Sequence, residues 1–209
     1  MATIIKADGI ISNPKLGKII ALQLLTTESC IRSANTELSG TTTDIYDGGS
    51  AYSWSGISGL FALSELGLTN TLTASSGAVY LGLPLTKDVA LSYEAGTQGS
   101  EIFIDVRRVL AGDNYCYRLS MNSSRFAIVR RVSSASTIKS LPALVEGDKV
   151  YITFIGGVIT VYINDVEVYT TDDSSYTDLQ RAGTIAVSRG DSGGEVHTYI
   201  KNLRVFTIS

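Results

Sequence analysis

Glu101, Phe103 and Asp105 in "EIFID" fall on one face if residues 101 to 105 are extended, because side chains alternate along a strand. Two carboxylates on one face are the equipment of glycoside hydrolysis, one serving as nucleophile and the other as general acid, about 5 Å apart in a retaining enzyme. The residue between them is Phe103, so no central carboxyl is there to hydrogen-bond its neighbours, and Asp105 reaches less far than a glutamate. Catalysis is therefore not expected from this pair. His197 is the only histidine, which excludes schemes needing two imidazoles and leaves a Ser/His/Asp triad resting on one residue. It reads as a satisfied strand histidine. Cys30 and Cys116 have neither the density of a disulfide scaffold nor the spacing of a zinc site, and read as buried thiols.

Binding chemistry is better represented. With Ile102, Ile104 and Val106 toward a core, Phe103, Asp105 and Arg107 face outward; with Tyr117, Leu119 and Met121 inward, Cys116, Arg118 and Ser120 face outward. Adjacent strands would gather Asp105, Arg107 and Arg118. Such a group is either a cross-strand charge ladder or a hydrogen-bonding floor for sugar hydroxyls or a sugar carboxylate, with arginine giving bidentate contacts. Trp54, the only tryptophan, lies with Tyr46 and Tyr52 in "IYDGGSAYSWSG". This cluster is either a stacking platform for a sugar ring or the start of a strand with Trp54 as core anchor. The candidate ligand-binding residues are thus Asp105, Arg107, Arg118, Tyr46, Tyr52 and Trp54. Clustered aspartates in "TTDDSSYTD" (170 to 178) and "DIYDGG" (44 to 49) suit calcium, but neither has the spacing of a recognised calcium loop, so no metal or other cofactor is expected. "SRGDS" (188 to 192) has good turn composition and reads as the hairpin before the final strand. The sequon Asn122-Ser123-Ser124 matters only on a eukaryotic secretory route.

These side chains need a scaffold, and the chain supplies one of strands. At 209 residues with 44% hydrophobic content it can bury a substantial core as one domain. A formal net charge of -3 gives no general attraction to nucleic acid or anionic lipid. No apolar run reaches the eighteen or so residues of a membrane span, so no membrane insertion is expected. The start "MATIIKADGIISNPK" lacks the order of a secretory signal, so we expect a protein made without Sec export or one whose signal has been removed. "LGKIIALQLLTTES" (16 to 29) fits a short helix or a buried strand equally. From "GAVYLGL" (77 to 83) onward, short alternating segments are punctuated by Gly, Asn, Asp and Ser, which argues for a sandwich or barrel. Gly156-Gly157 and Asn164-Asp165 suit two-residue hairpins, the segment around Pro142 crosses between sheets, and the Ser-rich stretch 133 to 140 is a linker candidate.

The last third resembles the concanavalin A-like lectin/glucanase jelly roll, including the laminin G-like domains. The resemblance is carried by "GDKVYITFIGG" (147 to 157), "GVITVYINDVEV" (157 to 168), "GTIAVS" (183 to 188) and "IKNLRVF" (200 to 206), and extends over residues 40 to 209. Asp165 stands where such proteins usually have glycine. Laminarinase and lichenase relatives carry E-I-D-I-E where this chain has "EIFID", so the resemblance implies a lost central acid; the polysaccharide-lyase branch would need a Gln-x-His that is absent.

The expected fold is an all-β, two-sheet antiparallel jelly-roll sandwich, with residues 1-38 as N-terminal extension or edge element and 39-209 as the sandwich domain. The resemblance implies a non-catalytic glycan-binding or adhesive module, displayed on a phage virion or at an extracellular surface, with a glycan or surface receptor as partner. The alternatives are a structural virion protein (decoration, fibre or tail component) docked to other subunits through its first 35 residues, and a glycoside hydrolase with a degenerate E-x-x-x-D site. Homo-oligomerisation would cover exposed sheet edges.

Overall fold

The computed structural model describes residues 4–5, 10–13, 18–32, 36–44, 51–56, 61–70, 78–83, 88–107, 115–132, 134–175, 184–189 and 197–208. The regular elements of these residues are all strands, arranged as two antiparallel sheets. The smaller sheet has seven strands. In spatial order they are β13 (Ser134–Leu141), β12 (Arg125–Val132), β11 (Cys116–Asn122), β10 (Ile102–Val106), β17 (Thr184–Arg189), β8 (Ala78–Gly82) and β5 (Trp54–Gly56). The larger has eleven, running along β1 (Ile4–Ile5), β2 (Ile10–Asn13), β3 (Lys18–Glu28), β18 (Tyr199–Ile208), β9 (Val89–Ala95), β14 (Lys149–Ile155), β15 (Val158–Ile163) and β16 (Val166–Asp172). A branch of β4 (Thr36–Glu37), β6 (Phe61–Ser64) and β7 (Gly67–Asn70) joins it at β18.

Local chemistry accounts for the pairing. Asn164 and Asp165 have φ of 50° and 69°, the left-handed pair that a two-residue hairpin needs, and Ile163 pairs with Val166 across them. Gly156, at φ 53°, supplies the single positive φ of the turn from β14 into β15, so residues 150 to 169 form a meander. At the β11–β12 turn, Asn122 Oδ1 accepts the N–H groups of Ser124 and Arg125 at 2.8 and 3.0 Å, which makes the sequon asparagine a turn cap. Of the segment 16 to 29, Lys18–Glu28 is strand β3, which pairs with β18 from Leu22 to Glu28. Removing residues 1 to 35 would therefore strip β1, β2 and β3 from the larger sheet.

Two further expectations change. The Ser-rich stretch is strand β13, paired with β12, and the segment around Pro142 after it does cross to the other sheet. β17 and β18 lie in different sheets, so "SRGDS" leaves the end of β17 on a crossing rather than a hairpin; its residues 190 to 192 lie outside the described residues.

Between the sheets, Ile102, Ile104 and Val106 of β10, Tyr117, Leu119 and Met121 of β11, and Phe126 and Ile128 of β12 meet Leu91, Val150, Ile152, Phe154, Ile159 and Val161. Fully burying each large side chain contributes about 1.5–3 kcal/mol. The period of two sets which face of each strand is spent on this core. Arg107 breaks it. Expected to face outward beside Asp105, it has φ 56° and is 1% exposed. The left-handed backbone costs roughly 1–2 kcal/mol, and it aims the guanidinium at the larger sheet, where Nη1 and Nη2 donate to the carbonyls of Gly156 and Phe154 at 2.8 and 3.1 Å. Asp88 pairs with it at 3.4 Å and also accepts the Gly156 N–H at 2.7 Å, so one carboxylate holds both the cation and the β14–β15 turn. Burial pulls the Arg107 pKa down.

Nearby, Tyr117 Oη donates to the Asp173 carbonyl at 2.8 Å and Arg130 Nη1 donates to Asp173 Oδ2 at 3.1 Å, joining β11 and β12 to the chain leaving β16. On the side where both sheets end, Lys139 Nζ lies 5.5 Å from the Tyr169 ring centre. The pairing register slips within both terminal strands, β13 against β12 and β16 against β15. Bulged edges and a lysine at the edge disfavour strand addition there.

Burial raises the Asp173 pKa, but the Ser175 and Tyr117 hydrogen bonds and the Arg130 charge outweigh it and hold the carboxyl below its ordinary value. A depressed pKa means stability that is present above the unfolded value and lost as pH falls through the folded one. Asp173→Asn should cost about 1–3 kcal/mol at pH 7 in urea unfolding, a difference that shrinks as the pH drops below the carboxylate range. A difference constant with pH would contradict this role.

Candidate functional site

The outer face of the seven-stranded sheet carries what the core does not use. Asp105 stands opposite Arg118 and Phe103 opposite Ser120, while Arg118 and Ser120 face Val129 and Ala127 of β12. On the other side Asp105 and Phe103 stand opposite Ala186 and Ser188 of β17, and Ala186 opposite Tyr80 of β8. Arg118 is the centre of this surface. Its Nε and Nη2 donate to Asp105 Oδ1 and Oδ2 at 2.6 and 2.8 Å, a bidentate pair, and its guanidinium carbon lies 4.1 Å from the centre of the Phe103 ring. The side chains are 10% and 0% exposed. Burial disfavours the guanidinium charge, and the hydrogen bond and charge of Asp105 outweigh it, leaving the Arg118 pKa above its ordinary value.

Beside this pair lies a wetter cluster. Ser120 Oγ donates to Glu101 Oε1 at 2.6 Å, and Arg125 Nη2 approaches the same oxygen at 3.6 Å from the start of β12. Phe103 is half-buried between the two groups. The surface therefore joins an aromatic ring to a carboxylate and a guanidinium at its margin, the Ser120 hydroxyl, 2% exposed, holding the carboxylate. That set can accept and donate hydrogen bonds to hydroxyls while a ring packs an apolar patch. It does not form a hydrolytic pair: Asp105 has both oxygens on Arg118 and no exposed surface, and Glu101 is turned toward Ser120. A regular strand also spaces their Cα atoms about 13 Å apart.

Of the six candidates, the structure brings Asp105 and Arg118 together as the alternation predicts. Arg107 does not join them, because its left-handed backbone sends it between the sheets. Trp54 is 1% exposed and belongs to the core, where it cannot serve as a stacking platform. Its indole N–H faces the buried Glu28 carboxylate without closing a hydrogen bond of ordinary geometry, and burial raises the Glu28 pKa. Tyr52 is partly buried against the same core, its backbone N–H donating to Thr43 Oγ1 at 2.9 Å. Tyr46 lies outside the described residues. Arg125 was not anticipated; only the tight Asn122–Arg125 turn, which sets the β11–β12 register, places it beside Glu101. Among the described residues no three potential ligands converge on a metal position.

No family model and no curated protein matches the sequence. Solved structures do match. The carbohydrate binding module CBM66 from Bacillus subtilis superposes with a TM-score of 0.54 at 14% identity, over 75% of this chain and 94% of that one. The exoplasmic/lumenal domain of VIP36, in a Ca2+/Man3GlcNAc-bound form, gives 0.51 at 13% identity, over 76% and 83%. The fold is the concanavalin A-like jelly roll. At these identities the likeness is one of architecture, which many unrelated functions share.

The Arg118–Asp105 pair supplies a direct test of this geometry. Arg118→Met would leave a buried carboxylate uncompensated and should cost about 3–5 kcal/mol, whereas adding Asp105→Leu should recover most of the loss. Urea unfolding of both variants measures it; a single-variant cost under about 1 kcal/mol would mean a solvated surface pair.

Proposed function

We propose that this protein is a non-catalytic glycan-binding or adhesive module whose ligand lies on the outer face of the seven-stranded sheet, over Phe103, Glu101, Ser120 and Arg125. One observation carries the reading: a desolvated bidentate ion pair is built on the outside of a sheet, stacked on the ring that borders the polar cluster of Glu101, Ser120 and the exposed Arg125. Buried ion pairs add little net stability compared with apolar side chains of similar size. Rigid placement of Phe103 and Ser120 for a ligand gives this one a purpose. The structural neighbours support it as far as architecture goes, since one is named as a carbohydrate binding module and another was solved with a mannose-containing glycan.

The same proposal places the module at a virion or extracellular surface, where it would meet a glycan. Attachment to other subunits falls to the first strands, whose register sets Ile4 against Ile11 and Ile11 against Ile20. A purely structural role for the chain would rest on that segment alone.

A glycan array followed by titration calorimetry tests the binding claim. We expect at least one saccharide to bind, with Phe103→Ala weakening it about tenfold by removing the stacking surface. Absence of binding to every saccharide would overturn the proposal.

A further inference from the structure

The charges on this face decide which class of saccharide it takes. Arg118 donates two N–H groups to Asp105 and gives one side of its plane to Phe103, with little of its side chain exposed. Arg125 is paired with Glu101 at 3.6 Å, and Arg131, in register with Cys116 farther along β12, is likewise not without a partner. The Arg118 guanidinium is thus closed to an incoming anion, and the charge of Arg125, which is 45% exposed, already lies 3.6 Å from Glu101. An incoming sugar carboxylate would meet Arg125 only alongside the Glu101 charge that balances it. Bringing a second carboxylate there without a further cation costs desolvation and like-charge repulsion.

A hydroxyl meets the opposite situation. Ser120 and Arg125 both engage Oε1 of Glu101, and a carboxylate has acceptor capacity for further donors. A sugar O–H donating to it forms a charge-assisted bond, stronger than a neutral one. The Phe103 ring, with Arg118 against it, leaves its remaining surface for the C–H face of a pyranose or furanose.

Resting on the binding reading above, we infer that the ligand is a neutral saccharide, its hydroxyls held by Glu101 and Arg125 and its apolar face on Phe103, and that this surface excludes sugars bearing a carboxylate there. Arg118 is a clamp for the ring rather than an anion receptor. Affinity should then change little with salt, because no net charge is neutralised on binding.

The experiment is calorimetry on the whole chain with matched probes: neutral manno-, gluco-, galacto- and fructo-oligosaccharides, lactose against sialyllactose, and tri-galacturonate against galactotriose. The expected result is binding by a neutral probe, about tenfold weaker or worse for its carboxylate-bearing counterpart, with Kd steady from about 50 to about 500 mM NaCl. Glu101→Gln should weaken the neutral ligand about tenfold, as loss of a charged acceptor does, with an unchanged near-UV spectrum showing an intact fold. Preferential binding of an acidic probe, weakened by salt and abolished by Arg125→Met, would overturn the inference and uphold the binding reading. Tight neutral binding indifferent to Glu101→Gln and Phe103→Ala would also overturn it. Failure of all the probes to bind would overturn both.

Discussion

A guanidinium clamped by a carboxylate and laid flat on an aromatic ring fixes the geometry around it more firmly than a solvated arginine could. Arg118 is held by the two hydrogen bonds it donates to Asp105 and by the face of Phe103 at once. That arrangement exists only because β10 and β11 pair with Asp105 opposite Arg118. A slip of one residue would send both charges into a core that has no partner for them, so the ion pair and the core enforce the same register. The proposed ligand face is in this sense the reverse of the packing that builds the sandwich.

A second polar system does the complementary work between the layers. Arg107 accepts a left-handed backbone to reach the β14–β15 turn, and Asp88 holds cation and turn together. Tyr117 and Arg130 bring Asp173 against the same end of the sandwich. Neither network is made of residues the hydrophobic core requires. Together they tie the two sheets at the end where β10 runs into Arg107.

Much of this was legible in the sequence because it depends on local period and turn chemistry. The alternation of "VYITFIGGVITVYINDVEVY" specifies β14 to β16, and Gly156 and Asn164-Asp165 specify the turns. The same alternation placed Asp105 and Arg118 outward and adjacent. What escaped depends on tertiary context. Arg107 sits at an outward position by period, and nothing in its neighbours announces a positive φ. Trp54 has serine and glycine around it, which suggests a loop, yet pairing with Leu81 of β8 turns it into the core. "FALSELGLTN" alternates too briefly to announce strands; the turn at Glu65–Leu66 and the branch onto β18 make it the β6–β7 hairpin. The Ser-rich β13 lacks apolar periodicity because it is a sheet edge, where little of its surface is buried.

The central claim is that the face over Phe103 and Arg118 is where ligand contacts the molecule. Amide chemical-shift mapping during titration with the best array hit tests this most directly. The account predicts that the largest changes fall on the amides of Glu101 to Asp105, Arg118 to Ser120 and Arg125 to Ala127. Changes confined to the outer face of the larger sheet, around Tyr151 and Tyr162, with β10 and β11 unmoved, would contradict it.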